Sequence, residues 1–445
     1  MLLLENATIV TSEKVAIGSI LVDEGKIAEI FYSEAEEYNF NIYKVKQNDS
    51  LEVYDLSGKH IIAGGIDAHV HFREPGLTHK ADMATESLAA VAGGVTSFMD
   101  MPNTSPATTT AAALKDKIER AKGRCTGKIS FHIGATNANT DEIIRLVKEG
   151  DAETGITPDD IAGVKVFMGS STGNMLVDDN STLDRLFSIK EKPVLVHCED
   201  EETIRTNLEK AKEKYGEDIP FTEHEHIRSR KACIISSIKA LEMAIKHNTR
   251  LVLCHISTQE EVQMVRAAKC NNPDIIAETS CNYLWFTNEE YAKSGSRVKC
   301  NPSVKTADDR QALRKALAEG LIDTIGSDHA PHLLSEKEGT YTKAPSGLPT
   351  IQQSLPVLLT IAKEEGIGLT RIASVFSEKA SEIYGLNRGK IAKGYEADLV
   401  VFDYEKEFAV KAEDQKSKCG WSPFEGTTLT GVIEKVFIDG KLTNL

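Results

Sequence analysis

Residues 65–76 read Gly-Ile-Asp-Ala-His-Val-His-Phe-Arg-Glu-Pro-Gly, an apolar run in which two histidines stand two positions apart. In a β-strand, residues i and i+2 point to the same side, so His69 and His71 would face one point in space. Neutral imidazole is a good zinc ligand, and two imidazoles on one rigid strand lose little freedom on binding a metal. The pair alone also fits two packed or solvated side chains. The interpretation as a metal site is favoured because further candidate ligands follow at the ends of later strands.

Apolar runs recur after this stretch with helical segments between them. We predict strands at 61–72, 95–102, 129–136, 161–168, 193–199, 250–257, 274–281 and 322–330. Helices are expected between them, for example at 200–214, 231–246 and 258–270. Eight strands with helical crossovers predict an α/β protein with a (β/α)8 TIM-like barrel over 61–388, whose chemistry lies at the C-terminal strand ends.

Both ends of the chain have a different pattern. Residues 1–60 alternate short apolar runs with turn residues, and residues 389–445 do the same. This pattern is typical of small antiparallel sheets. We therefore expect the two ends to share one β-sandwich beside the barrel.

Composition narrows the class of protein. The 445 residues include 52 basic and 67 acidic side chains, which gives a formal charge of −15. The sequence has no run of lysine or arginine long enough to follow a phosphate backbone. Both observations argue against a nucleic-acid partner. The eight cysteines lack paired spacing, which indicates reduced thiols. There is no apolar run near the roughly 18 residues of a membrane span, and Met1-Leu2-Leu3-Leu4 leads directly into Glu5, unlike a secretory signal. We expect a soluble cytoplasmic protein.

Candidate metal ligands occur at the ends of five predicted strands. In chain order they are His69, His71, Lys165, His197, His255 and Asp328. Four histidines and a carboxylate are too many for one tetrahedral zinc ion. They suit two metals about 3.5–4 Å apart that share a bridging group.

Lys165 is the unusual member, because an ammonium group cannot bind a cation. An arbitrary lysine is most often a surface or salt-bridging residue, but Lys165 stands inside an apolar strand in step with the other candidates. A neutral amine can react with carbon dioxide to give a carbamate, whose two oxygens could bridge both metals. Adjacent metal ions would favour this anionic form. We therefore expect Lys165 to be carboxylated.

Several motifs across the chain resemble one superfamily. They are His-Val-His-Phe-Arg-Glu-Pro-Gly at 69–76, Asp-Met-Pro-Asn-Thr at 100–104, Asn-Pro at 301–302, Asp-His-Ala-Pro-His at 328–332 and Gly-x-x-Ala-Asp-Leu-Val at 394–400. The sequence resembles the amidohydrolase superfamily, and within it the longer dihydroorotases with a barrel and a β-sandwich. One feature departs from part of that branch, in which an aspartate bridges the metals. The strand Lys165-Val166-Phe167-Met168 is instead similar to the carboxylated-lysine strand of hydantoinases and dihydropyrimidinases.

The resemblance implies reversible hydrolysis of the cyclic amide of dihydroorotate to N-carbamoyl-aspartate, a step of pyrimidine biosynthesis. It also implies two Zn²⁺ or similar divalent ions, with a metal-bridged hydroxide as nucleophile. Asp328 would bind one metal and act as general base and then general acid. From the residues alone, Asp328 could instead cap a helix or a turn.

Recognition of a substrate carboxylate needs cationic and amide donors. Arg73 stands two positions after His71, so it faces the same mouth and could form a bidentate pair with a carboxylate. Asn103, Asn301 and His332 would add hydrogen bonds, as the resemblance also implies. Asn103 could instead only cap the turn at Pro102. His332 could instead be an exposed residue without a role, because its loop position offers no core to bury it.

Three further expectations concern two histidines and a loop near the candidate site. His132 could support the site from a second layer, and His329 should point away from the metals by strand alternation. The polar loop 331–347 could act as a mobile lid.

Three other functions stay open at this point. A hydantoinase or dihydropyrimidinase would share the metals but should lack an arginine at position 73. An allantoinase should have asparagine there. An inactive homologue kept as a scaffold should have lost ligands, whereas all six candidates are present. We expect a small-molecule enzyme that forms a homodimer or a larger homo-oligomer.

Overall fold

The computed structural model describes residues 1–169 and 175–444. Its strands are β1 (Leu2–Val10), β2 (Val15–Asp23), β3 (Lys26–Tyr32), β4 (Glu52–Asp55), β5 (His60–Ala63), β6 (Gly65–Val70), β7 (Val95–Asp100), β8 (Lys128–Gly134), β9 (Ile161–Phe167), β10 (Val194–His197), β11 (Leu251–Leu253), β12 (Ile275–Thr279), β13 (Thr324–Ile325), β14 (Leu399–Ala409), β15 (Thr428–Ile438) and β16 (Lys441–Leu442).

The α-helices are α1 (Tyr38–Val45), α2 (Met83–Ala92), α3 (Ala111–Ala121), α4 (Thr140–Glu149), α5 (Asn180–Phe187), α6 (Glu201–Tyr215), α7 (His224–Ile227), α8 (Arg230–His247), α9 (Gln259–Lys269), α10 (Cys281–Trp285), α11 (Glu290–Ser294), α12 (Ala307–Ala318), α13 (Leu334–Lys337), α14 (Ser354–Glu365), α15 (Leu369–Ala373) and α16 (Lys379–Tyr384). A π-helical turn, Ser374–Glu378, joins α15 to α16.

Strands β6 to β13 form a parallel sheet in sequence order. A bridge between Val70 and His329 joins the end of the first strand to the segment after the last, so the sheet nearly closes on itself. Helices lie between the strands; in α9, a capping box of Thr258 and Glu261 starts the helix, and Val262 and Val265 bury one face. The predicted (β/α)8 barrel is confirmed.

The predicted strand at 61–72 is wrong at its beginning. His60–Ala63 pairs with β1 and β14 in the other sheet, and only Gly65–Val70 pairs with β7 in the barrel. The chain changes sheets at Gly64 and Gly65, where there is no room for a side chain: a Cβ on Gly65 would lie 2.4 Å from the Phe376 ring. A continuous apolar run hides this change from sequence analysis.

The second sheet combines both ends of the chain in the order β16-β15-β14-β5-β1-β2-β3, with β4 also paired to β1. Most of its pairs are antiparallel, but β1 runs parallel to β4 and β5. Its own apolar core includes Leu4, Ile20, Ile61 and Val401. We propose the domain division 1–60, 61–388 and 389–445 on this basis, with β5 crossing the first boundary.

Two further observations concern the whole chain. All eight cysteine thiols are free. Within residues 1–169 and 175–444, none of the helices combines the length and apolar character that crossing a bilayer requires.

Candidate active site

A cavity opens at the C-terminal ends of the barrel strands. Residues from six strand ends and two loops line it: His69, His71, Arg73, Asn103, Lys165, Phe167, His197, His255, Asn301, Asp328, Ala330, Ser346 and Gly347. The structure thus brings together every predicted site residue except His332, which lies behind Arg73 with its Nε2 3.0 Å from Arg73 Nη2.

The ligand-type atoms form two groups. Asp328 Oδ1 lies 3.0 Å from His71 Nε2 and 3.5 Å from His69 Nε2. On the other side, His197 Nδ1 lies 3.0 Å from His255 Nε2, and the ring centroids of His69 and His255 are 5.3 Å apart. Each group is compact enough for its atoms to bind one ion, so the residues fit the predicted metals.

A second layer orients the histidines of the first group. Glu278 Oε1 lies 2.7 Å from His69 Nδ1, and Asn103 Oδ1 lies 2.7 Å from His71 Nδ1. Each oxygen accepts the Nδ1–H and thereby leaves Nε2 free to bind a metal. Asn103, which we predicted as a substrate ligand, thus also holds His71.

Lys165 is fully buried on β9 among these ligands. Its Nζ lies 3.3 Å from Cys254 Sγ, and the structure gives it no ion pair with any described carboxylate. A buried ammonium group without a counter-ion is costly. The site therefore surrounds this lysine with metal-binding groups rather than with a neutralising partner.

Three residues that line the cavity have strained backbones. Arg73, His255 and Asp328 have φ angles of 66°, 40° and 49°, in the left-handed region that residues other than glycine rarely adopt. Such conformations cluster at functional sites, where the surrounding fold holds them.

Electrostatics keep the candidate ligands in their metal-binding forms. Burial, followed by the charge of Lys165, holds the pKa of His69 well below its usual range, and burial does the same for His255. Burial alone would raise the pKa of the Asp328 carboxyl, but His69 and His71 outweigh it and hold that pKa below its usual range. Neutral imidazoles and an ionised carboxylate are the forms that bind metals.

Arg73 lies on the other wall of the cavity and is 4% exposed. Its Nε donates to the Pro331 carbonyl at 3.1 Å, and burial lowers its pKa to about 10. In the part of the chain that the structure describes, no carboxylate pairs with its guanidinium. Nearby, the Asn301 Oδ1 is buried without a hydrogen-bond partner among the described residues. The cavity thus offers unused polar groups beside the candidate metal ligands.

Comparison with known proteins shows the family of this chain. The sequence profile of the amidohydrolase family matches residues 60–443. The chain belongs to the amidohydrolase family. It is 31% identical to a dihydroorotase of Methanosarcina acetivorans over 435 residues, which cover 95% of this chain and 88% of the relative. It is 29% identical to an allantoinase of Desulfitobacterium hafniense, with 99% of this chain and 94% of the relative covered.

Solved structures with the same fold support the family assignment. The L-hydantoinase (dihydropyrimidinase) from Arthrobacter aurescens superimposes with a TM-score of 0.89 at 26% identity, covering 99% of this chain and 95% of that one. The dihydropyrimidinase from Brevibacillus agri gives a TM-score of 0.87 at 25% identity. The predicted family is confirmed, and the relatives within it are named for different activities.

Sequence analysis of this amidohydrolase missed two acidic residues of the site. Glu278 holds His69, and Glu199 Oε2 lies 3.1 Å from His197 Nε2 while Arg228 pairs with the same carboxylate. Both residues are buried on or just after barrel strands, and Glu199 stands two positions after His197. That spacing could have identified Glu199, whereas the contact of Glu278 with His69 spans the barrel.

The expectation that the loop could leave His332 exposed is wrong. His332 is 2% exposed, and Trp421 from the C-terminal part of the chain donates its indole N–H to the His332 carbonyl at 2.8 Å. His329 points away from the ligands to Glu86, as predicted, at 2.7 Å. His132 lies in the barrel interior, with Nε2 2.9 Å from the Ala68 carbonyl.

The loop 331–347 is built into the cavity wall. It includes α13, and the buried Lys337 donates to the carbonyls of Pro345 and Gly347 at 2.8 and 3.0 Å. Lid motion of this loop stays a prediction. Its resting position is fixed by these contacts.

Proposed function

We propose that this amidohydrolase is a zinc-dependent dihydroorotase that reversibly hydrolyses the cyclic amide of dihydroorotate to N-carbamoyl-aspartate in pyrimidine biosynthesis. The observation that carries the proposal is Arg73, which is buried, lines the cavity and pairs with no described carboxylate. An unpaired buried charge is costly, and a substrate carboxylate would offset that cost. Dihydroorotate carries such a group, whereas dihydrouracil, hydantoin and allantoin do not.

The residues that would hold the metal ions follow from the two ligand groups. His69, His71 and Asp328 would bind one ion, and His197 and His255 the other, with carboxylated Lys165 between them. Bound divalent ions supply Lewis-acid polarisation of the amide carbonyl and lower the pKa of bound water.

We propose that Asp328 moves the proton that the reaction requires. Its carboxylate is ionised because its pKa is held below the usual range, so it can accept a proton from the attacking water. It would then deliver that proton to the ring nitrogen that leaves, and in the reverse direction it would deprotonate the attacking nitrogen. Its side chain is only 13% exposed, so few water molecules reach the group to compete for the proton.

The loops would orient the substrate against this group. Arg73 would bind the substrate carboxylate through a bidentate pair, which matches the planar guanidinium. Asn301, whose amide oxygen has no partner in the described structure, would bind the ring together with Asn103, while His332 would contribute from behind Arg73. The free thiols are consistent with a reducing cytoplasmic location, which we include in the proposal together with a homo-oligomeric state.

Substitution of Arg73 tests the proposal. Loss of a charge-assisted bidentate contact should cost about 2–4 kcal/mol, so Arg73→Ala should lower kcat/KM for dihydroorotate roughly 30- to 1000-fold. Arg73→Lys should recover little, because an ammonium group cannot reproduce the planar fork. Metal content, measured in the same preparations, should match that of the parent.

The outcome that would reject the proposal is equally specific. If Arg73→Ala hydrolysed dihydroorotate as efficiently as the parent, the carboxylate would be bound elsewhere or not at all. A parent enzyme that preferred dihydrouracil or hydantoin would be a hydantoinase, and one that preferred allantoin would be an allantoinase. Full activity in a verified metal-free preparation would remove the metal-dependent mechanism.

A further inference from the structure

A chain of polar side chains extends from the cavity to the surface behind Arg73. Arg73 Nη2 lies 3.0 Å from His332 Nε2, and Lys80 Nζ lies 3.0 Å from His332 Nδ1. Glu336 on α13 holds the other side of Lys80, with Oε1 3.0 Å from Nζ. Arg73 and Lys80 both belong to the segment between β6 and α2, whereas His332 and Glu336 follow β13, so two separate parts of the chain meet at this imidazole.

The contacts of His332 favour one tautomer. An obligate donor faces each ring nitrogen, Lys80 at Nδ1 and Arg73 at Nε2, but only Nε2 also has an acceptor within hydrogen-bond distance. Burial, followed by the charges of Arg73 and Lys80, holds the pKa of His332 far below its usual range, so the ring is neutral and carries one N–H. The Lys80 ammonium can only donate, so Nδ1 must accept. On the other side of the ring, Nε2 lies 3.1 Å from the Ser346 carbonyl oxygen, which can only accept. The proton therefore resides on Nε2.

This tautomer decides the state of Arg73. With a proton on Nε2, the contact between Arg73 Nη2 and His332 Nε2 joins two donors and is not a hydrogen bond. The Arg73 Nη2 then has no acceptor on His332, and its N–H groups are available to an anion in the cavity. In the other tautomer, Nε2 would carry a lone pair and would accept a hydrogen bond from Arg73.

We propose that Lys80 is a positioning residue that selects the Nε2–H tautomer of His332 and thereby keeps Arg73 available for the substrate carboxylate. The first half of this statement concerns only the contacts of His332. The second half rests on the proposed function, because it identifies the anion as the carboxylate of dihydroorotate. Glu336 neutralises the ammonium and aims it at the ring.

The tautomer is measurable without any substrate. Uniform ¹⁵N labelling of histidine, with His332→Gln used to assign the resonance, distinguishes a protonated from an unprotonated ring nitrogen. The parent should show Nε2–H at His332, and Lys80→Arg, which keeps a donor, should show the same. Lys80→Met, of similar length but without a donor, should move the population towards Nδ1–H. A parent with Nδ1–H, or a Lys80→Met spectrum identical to the parent's, would overturn the proposal.

Kinetics test the second half. Lys80→Met should raise KM for dihydroorotate about tenfold, the size of one hydrogen bond to a charged group, with a smaller effect on kcat. Lys80→Arg should restore most of the loss, which a general packing defect would not allow. A change of tautomer without a change in KM would show that Arg73 binds the substrate independently of His332. If the parent itself does not hydrolyse dihydroorotate, the proposed function fails, while the NMR measurement still decides the role of Lys80.

Discussion

The wall of the cavity that carries the histidines lies on barrel strands or within two residues of their ends, whereas the wall around Arg73 is built from loops. We call these the ligand wall (His69, His71, Lys165, His197, His255) and the loop wall (Arg73, Asn301, Ser346, Gly347). Strands hold the first set through backbone ladders. The second set depends on side-chain contacts such as those of Lys337 and His332.

We infer from this difference that the two walls serve different purposes, one for catalysis and one for substrate choice. Relatives named for dihydroorotate, allantoin and hydantoin align with nearly the whole of this chain, so the family fold does not by itself determine the substrate. Loops tolerate change more readily than strands and often determine binding. We therefore assign the shared hydrolytic chemistry to the ligand wall and the choice of substrate to the loop wall, and the predictions below test that assignment.

The largest effect should follow loss of Lys165. Lys165→Ala should lose bound metal and fall to background activity, because the anionic bridge between the two ligand groups would be missing. A short carboxylic acid in solution should partly restore both. Metal analysis and turnover of the same samples measure this, and two retained metal ions per chain would show that another group forms the bridge.

Substitution of Asp328 should have the second largest effect. Asp328→Asn keeps the shape of the side chain but cannot accept the proton, so kcat should fall by about 10²- to 10⁴-fold, the range of general acid–base catalysis. KM should change much less, because the loop wall is untouched. A variant that kept kcat but raised KM would place Asp328 in substrate binding and blur the distinction between the walls.

Substitution of Glu278 should have a moderate effect that is confined to the affinity for metal. Glu278→Met removes the acceptor for His69 Nδ1–H and should weaken metal binding about 10- to 100-fold, as for other residues that orient metal ligands. Glu278→Gln retains an acceptor oxygen and serves as the matched control. Titration of metal-free protein measures both, and equal affinities in the two variants would contradict this role.

Substitution of Lys337 should have the smallest effect on activity. We expect it to change the pH dependence of the free energy of unfolding, through the loop wall. Burial lowers its pKa to about 7, against about 10.5 in an unfolded chain. Between those values the unfolded state binds more protons, so stability should rise with pH by up to about 1.4 kcal/mol per unit from this group. Unfolding of Lys337→Met between pH 7 and 9 should lack that part of the rise, and an unchanged slope would exclude Lys337 as its source.

The ligand wall could be predicted from the sequence because strand alternation alone places its residues. His69 and His71 share a face by spacing, and Lys165 follows the same rule on β9. Spacing also predicts Arg73 of the loop wall, and the resemblance implies Asn301, but the long-range contacts that support the two walls could not be predicted. His332 is buried because Trp421, 89 positions later, closes over it, and Glu278 reaches His69 across 209 positions. The change of sheets at Gly64 and Gly65 depends on Thr96 and Phe376, which lie against these two glycines and which no local pattern reveals.

The central claim is that the loop wall selects a cyclic amide bearing a carboxylate. Its most direct test is kcat/KM of the metal-loaded parent for dihydroorotate beside dihydrouracil, hydantoin and allantoin, followed by the loss of ring-amide absorbance. The account predicts that dihydroorotate is preferred by at least about 30-fold, the lower value of a bidentate charged contact. An equal or greater kcat/KM for any of the three uncharged rings would contradict it.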